Sequence, residues 1–266
     1  MLVRRIAHWA TFVEKKIFKQ IFPNKDIFYG EFIMSRESLR QLNESLIKHF
    51  KETGINNALF YEPLFDYYWE QNDKIGLCNL ESYDKEIQGI QKISAERILD
   101  YWSNAPTIQK SLKIFRAINW KLENESSYIS EEIIKEFDKA DWEKSIDEIG
   151  CGLYFNLRLT IGNQVNEDKK GITEFYSDSF YADYFMKFIK ASEIKMLIIT
   201  GETGVNIINK IYPELKLEWS NEMQAKIYDK TLFCPMQHPS RISYKKIAED
   251  LNYFFDLYFD NTRRAK

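Results

Sequence analysis

Cysteine, glycine and proline are scarce in this chain of 266 residues, and each shortage argues against particular classes of protein. The ten glycines and six prolines argue against a disordered or low-complexity protein. The three cysteines, Cys78, Cys151 and Cys234, lie far apart in or beside apolar runs. Without a Cys-x-x-Cys pair they argue against an iron–sulfur cluster or a structural zinc site. We therefore expect buried thiols in a reducing cytoplasm, with no metal and no cofactor.

Long apolar runs are also missing, because charged residues interrupt each run before it reaches the length of a bilayer span. No signal peptide is apparent, so we expect a cytoplasmic protein that does not enter a membrane. The first 22 residues mix basic and apolar side chains. They predict an amphipathic helix packed on the core, with a helix on a membrane surface as the alternative.

Positive charge is not in excess, since 37 Lys and Arg face 40 Asp and Glu and the net charge is −3. No global field draws the protein to nucleic acid, although a local basic rim can coexist with an acidic body. The candidates for such a rim are Arg158, Lys169, Lys170, Arg241, Lys245 and Lys246.

Aromatic residues are plentiful, with 19 Phe, 16 Tyr and 6 Trp, so the chain can bury a sizeable core. No repeat or linker divides it, which predicts one domain over 1–266, with residues 1–70 as a helical N-terminal extension packed on it. Apolar runs predict strands at 74–80, 152–161, 196–200 and 231–234. Helical patterns occupy 35–52, much of 92–148, 174–191, 205–211 and the C-terminal end. This alternation predicts an α/β protein: a three-layer α/β/α domain with a central, mostly parallel four-stranded sheet.

Polar residues follow three of these strands, at the edge where ligands of open α/β sheets bind. Glu81 and Tyr83 follow the first strand, Asn156 interrupts the second, and His238 follows the fourth. Glu81 is either a water-activating base or a surface charge. Asn156 either bonds the backbone of a neighbouring loop or presents its amide to a planar ligand with a donor beside an acceptor. His238 is suited to act as an acid, a base or a hydrogen-bond donor.

Several common motifs are absent. Gly201–Gly204 resembles a phosphate-cradling turn, but it lacks the Gly-Lys-Ser/Thr of a P-loop and the third glycine of a dinucleotide fingerprint. No Gly-x-Ser-x-Gly elbow is present, which argues against a serine hydrolase of that class.

Taken in order, the strand ends resemble the uracil-DNA glycosylase superfamily. The run Leu153-Tyr154-Phe155-Asn156-Leu157-Arg158-Leu159-Thr160-Ile161 is similar to the family's strand Leu-Leu-Leu-Asn-Thr-Val-Leu-Thr-Val. His238-Pro239-Ser240-Arg241-Ile242-Ser243 resembles the family's His-Pro-Ser-Pro-Leu-Ser loop, and Glu81-Ser82-Tyr83-Asp84 stands where the family has Asp-Pro-Tyr-His. The resemblance covers roughly residues 74–246.

The resemblance implies an enzyme that flips uracil, or a related base, out of DNA and hydrolyses its N-glycosidic bond. By the same resemblance, the hydrolysis needs no metal and no organic cofactor. By the same resemblance, Asn156 would read the base edge and Tyr83 would exclude a 5-methyl group. Glu81 would orient water or stabilise the sugar cation, and His238 would stabilise the negative charge on the departing base.

The resemblance also implies that DNA is the partner. Ser240 and Arg241 would contact a phosphate, and Ile242 would fill the gap left by the flipped base.

Departures from the family pattern leave other functions open. Glu81 replaces Asp, and a shifted alignment would make Asn79 the relevant residue instead. An altered first motif is also typical of a catalytically inactive protein of this fold that binds nucleic acid, a nucleotide or a protein. A third possibility is an enzyme acting on a free nucleoside or nucleotide.

Overall fold

The computed structural model describes residues 26–80, 88–94, 97–98, 106–136, 152–160, 176–220 and 224–264. Glu81, Tyr83, Cys151, Lys169, Lys170 and the first 22 residues, on which sequence predictions fell, lie outside the described residues. Within these ranges, no helix combines the length and the apolar character needed to cross a membrane.

The described part of the chain contains helices and strands in alternation. The helices are α1 (Asp26–Glu52), α2 (Pro106–Glu123), α3 (Glu131–Glu136), α4 (Ser179–Ala191), α5 (Gly201–Ile211) and α6 (Tyr244–Arg264), with a 3-10 helix at Asp66–Glu70. The strands are β1 (Ala58–Phe60), β2 (Ile75–Asn79), β3 (Ile90–Lys92), β4 (Gly152–Asn156), β5 (Met196–Thr200), β6 (Lys226–Tyr228) and β7 (Thr231–Met236).

Five strands form the central sheet in the order β4-β2-β5-β7-β6. The first four are parallel and are the four strands predicted from sequence, so the α/β class and the mostly parallel sheet are confirmed. The predicted count of four is wrong, because β6 adds an antiparallel edge strand. A two-residue turn joins β6 to β7, with Asp229 at φ 53°, as tight hairpins require. The strand escaped detection because three residues, one of them the exposed Ile227, carry too little apolar pattern.

Helices lie against both faces of this sheet. Successive side chains of a strand point to opposite faces, and β4 shows both environments. Gly152 faces Phe115 of α2, whereas the Phe155 ring packs 5.0 Å from the ring of Phe188 in α4. Helices α1 and α5 also pack on α4, and α6 packs with α2 and α3. The central strands are consequently buried over their whole length, which explains their continuous apolar sequences.

The segment before β2 is anchored by buried polar contacts. Asn43 of α1 accepts a hydrogen bond from the Tyr184 hydroxyl at 2.8 Å, and Tyr68 donates to the carbonyl of Ser192 at 2.8 Å. These bonds connect α1 to α4 and the 3-10 helix to the residue that follows α4. Residues 26–70 also contribute β1, which pairs in parallel with β3 in a separate two-stranded sheet that the sequence analysis did not predict.

A methyl group at Gly152 would collide with α2, because an ideal Cβ there lies 2.0 Å from Cε1 of the buried Phe115 ring. We therefore expect Gly152→Ala to lower the free energy of unfolding by about 1–3 kcal/mol through overpacking. Gly76→Ala is the matched control, since its Cβ would meet only flexible side-chain ends at 3.0 Å. Equilibrium denaturation of both variants measures the difference. Equal stability losses would contradict the proposed closeness of α2 and β4.

Candidate functional site

The order of the parallel strands creates a switch point at the carboxyl edge of the sheet. From β2 the chain moves to β4 on one side, and it then returns to β5 on the other side of β2 and continues to β7. Connections that leave neighbouring strands in opposite directions open a crevice outside their carboxyl ends. In this sheet that crevice lies between β2 and β5, flanked by the ends of β4 and β7.

A row of buried residues crosses this edge. Asn79 pairs in register with Asn156, Thr200 pairs with Met236, and the pairing of Cys78 with Ile199 brings Asn79 beside Thr200. Residues side by side in a parallel sheet point to the same face. The row therefore places two amides and one hydroxyl on one face, at the switch point, and each side chain is buried.

Asn79 is held firmly in this row. Its Oδ1 accepts a hydrogen bond from Thr200 Oγ1 at 2.6 Å, and its Nδ2 donates to Tyr154 Oη at 3.2 Å and to Ser111 Oγ at 3.4 Å. Burial raises the pKa of Tyr154 to about 12, so its hydroxyl stays neutral near pH 7. Both ends of the Asn79 amide are thus hydrogen-bonded within the protein, so we assign this residue a structural role.

Asn156 is held at only one end. Its Nδ2 donates to Tyr61 Oη at 2.9 Å, while its buried Oδ1 has no partner among the residues that the structure describes. A hydroxyl can donate or accept, so turning the amide over keeps this bond and still leaves one amide group unpaired. Leaving such a group buried costs about 1–3 kcal/mol. The partner of Asn156 is a tyrosine hydroxyl rather than the loop backbone that the sequence analysis considered.

The loop after β7 fixes the ring of His238. Nδ1 lies 2.8 Å from Ser240 Oγ and accepts a hydrogen bond from the backbone N–H of Ser240 at 3.4 Å. Because Nδ1 accepts, the proton of the neutral ring is on Nε2. Burial lowers the pKa of His238, and the positive charge of Arg241 lowers it further. The ring is thus a neutral donor through Nε2–H near pH 7.

Helix α5 begins directly beside this ring. Gly201 follows β5 at φ 79°, and a Cβ there would lie 3.9 Å from the Cβ of His238. The positive end of the helix dipole disfavours a second positive charge and so keeps His238 neutral. Gly201–Gly204, which resembles a phosphate-cradling turn in sequence, is the first turn of this helix.

The remaining predicted site residues have different environments. Ser240 and Arg241 are exposed beside His238 and can reach a ligand. Ile242 is only 1% exposed, so its side chain does not lie at the loop surface, and its role in filling the gap left by a flipped base stays a prediction. Its side chain belongs to the core, where removal from water stabilises it.

Asn156 and His238 lie toward opposite ends of the row. Two strands separate β4 from β7, and three interstrand spacings amount to about 14 Å. The ends of β2 and β5, with Asn79 and Thr200, lie between these two residues.

Tyr61 and Thr200 were missed by the sequence analysis. Tyr61 lies just after β1. It reaches Asn156 because β1 packs beside the segment that follows β4, where Leu59 N–H donates to the carbonyl of Leu159 at 2.7 Å. Thr200 ends the third predicted strand, and a polar residue at that position was the signal that could have identified it.

Comparisons with known proteins found no match: no family model fits the chain, and no curated protein or solved structure is significantly similar to it. Among the described residues, no group of three or more His, Cys, Asp or Glu side chains is placed to hold a metal ion. The resemblance to the uracil-DNA glycosylase superfamily therefore depends on the motifs alone.

The unequal bonding of two buried asparagines can be measured. Asn43 uses both ends of its amide, since Oδ1 accepts from Tyr184 and Nδ2 donates to the carbonyl of Tyr61 at 3.1 Å. We expect Asn43→Leu to cost about 1–3 kcal/mol more stability than Asn156→Leu, because it leaves more buried groups unpaired. Urea denaturation of both variants measures the difference. A larger loss for Asn156→Leu would show that Asn156 serves the fold rather than a ligand.

Proposed function

We propose that this protein is a glycosylase-like enzyme that hydrolyses the N-glycosidic bond of uracil, or a related base, flipped out of DNA. The observation that carries the proposal is the amide oxygen of Asn156, which has no partner among the described residues and lies at the same edge of the sheet as the neutral His238. A flipped pyrimidine would occupy the crevice between them, and unstacking it would cost a few kcal/mol.

Asn156 would read the edge of the base. With Nδ2 bonded to Tyr61, Oδ1 and the second N–H of the amide would contact the base. This acceptor and donor match the imide N–H and the adjacent carbonyl oxygen of uracil. Binding such a base would also satisfy the buried oxygen, so the cost of leaving it unpaired in the free protein would be recovered in the complex.

His238 would act on the leaving group. As the bond between the sugar C1′ and the base nitrogen breaks, its electron pair moves onto the base, and negative charge develops on the neighbouring carbonyl oxygen. A donor fixed in advance stabilises such charge without rearrangement during the reaction. Water then forms the new bond to C1′, and the proton that it releases neutralises the base anion. Glu81, which is outside the described residues, is the candidate to orient this water.

A catalytically inactive binding protein is the second candidate function, and the burial of Ile242 favours it. Base flipping by a side-chain wedge needs an exposed apolar residue at the loop tip. Without such a wedge the same edge would bind a nucleotide or an already unpaired base and release it unchanged.

Base release from oligonucleotides tests the proposal. We expect alkali-sensitive sites at uracil, in single-stranded or duplex substrates, and not at normal bases. His238→Ala should reduce the rate about 10²–10³-fold, because it removes a donor to the developing charge. Asn156→Ala should reduce it about ten- to a hundredfold through lost edge contacts. His49→Gln, which alters another partly buried histidine, is the control and should retain activity. The absence of scission by excess wild-type protein would exclude the glycosylase and leave the binding protein.

The pH profile tests the protonation state of His238. Because its pKa is lowered, the ring is neutral above that pKa, and the rate at saturating substrate should fall as pH drops through a value below 6.5. Arg241→Gln removes one cause of the lowering, so the acid limb should move to higher pH. Lys210→Gln, at the opposite end of α5, should leave the limb unchanged. An acid limb that does not move in Arg241→Gln would contradict the proposed effect of Arg241 on the protonation of His238.

A further inference from the structure

We propose that Lys110 and Lys113 of α2, together with Arg241 and Lys245, form a surface that binds the phosphodiester backbone of a nucleic acid. This inference deepens the proposed function, on which it partly rests, by naming a surface for the partner. It also gives α2 a role that the sequence alone did not suggest.

Lys110 joins α2 to the loop that carries His238. Its Nζ donates to the carbonyl oxygen of Ile242 at 2.6 Å, four residues after the histidine. Burial lowers the pKa of Lys110, and no carboxylate forms an ion pair with it among the described residues. An ammonium group that is partly desolvated and bonded to a neutral carbonyl retains its charge and can attract an anion.

Lys113 lies one helical turn further along the same face of α2. Its Nζ lies 5.0 Å from the ring centroid of Tyr244, and the Nζ of Lys110 lies 5.4 Å from the same centroid. The half-buried ring thus holds two ammonium groups close together beside the His238 loop. Aromatic rings interleaved with cations are typical of surfaces that bind unpaired strands.

Arg241 and Lys245 extend this positive surface on the other side of Tyr244. Both are exposed, and neither forms an ion pair with a described residue. The guanidinium of Arg241 is close enough to His238 to lower the pKa of its ring. Like charges repel one another, so a multivalent anion would stabilise the cations gathered around this loop.

A nucleic-acid backbone fits this surface better than an isolated phosphate. The four cations are distributed over α2, the loop after β7 and α6. A backbone provides one negative charge for each nucleotide and can contact cations distributed in this way. The surface also adjoins the crevice, so a strand bound along it would bring a base to Asn156 and His238.

Binding of target-free DNA tests this inference without requiring catalysis. Fluorescence anisotropy would follow a labelled 20-nucleotide strand and its duplex, both containing normal bases only, at several salt concentrations. We expect Lys110→Met and Arg241→Gln each to weaken duplex binding and to reduce the salt slope of log K by about 0.9, the value for one phosphate contact. Lys110→Arg keeps the charge and should bind like the wild type.

Two further variants distinguish the charge of this surface from a disturbed loop and from the loss of a positive charge elsewhere on the protein. Lys113→Gln leaves the Ile242 contact intact, and it should weaken binding even if Lys110→Met disturbs the loop. Lys210→Gln removes one charge at the opposite edge of the sheet and should change neither affinity nor slope.

Each possible result bears on the inference. It is overturned if the wild type does not bind, if the α2 variants bind like the wild type, or if Lys210→Gln weakens binding equally. Displacement by tripolyphosphate at equal phosphate concentration would also overturn it, since free phosphates would then be the ligand. If the protein releases uracil but its DNA binding does not depend on Lys110, the proposed enzyme activity stands and the proposed surface is rejected. Binding that depends on Lys110, without base release, would support the surface and reject the enzyme.

Discussion

The parallel register of β2 with its two neighbours is the constraint on which the rest of the site depends. It brings Asn156, Asn79 and Thr200 into one row and turns their side chains to the same face of the sheet. Because the row is buried, every polar group in it must find a partner or destabilise the fold. A slip of one residue would turn these side chains to the opposite face, so the register that builds the core also builds the crevice.

Within this row, structural and functional tasks are divided between two residues of the same type. Asn79 uses its whole amide to join β2, β5 and α2, and it can offer a ligand little without breaking those bonds. Among the described residues, Asn156 is bonded only to Tyr61, and its carbonyl oxygen has no partner there. A fold selected for stability alone would gain by replacing such a group with an apolar side chain. Under the proposed function, the base would supply the partner that this oxygen lacks among the described residues.

The sequence was sufficient for the elements that carry a strong apolar pattern. All four parallel strands were located, since each is buried on both faces and reads as an apolar run. The edge strand β6 was missed because half of it faces solvent. The role of Asn79 and the contact of Tyr61 with Asn156 depend on pairing between distant segments, which local patterns do not encode. The burial of Ile242 could not be predicted either, because the motif that it resembles does not show that this loop folds back on the core.

Under the proposed function, the positive charge of Arg241 affects both DNA binding and the protonation of His238. Arg241 lowers the pKa of His238 and, under the proposed function, also contacts a phosphate. A phosphate bound there would offset the positive charge of Arg241 and weaken its effect on the ring. Burial and the dipole of α5 would continue to favour the neutral form. Arg241 can therefore bind the backbone without making the histidine cationic at neutral pH, because the larger cause of the lowered pKa is the burial of the ring itself.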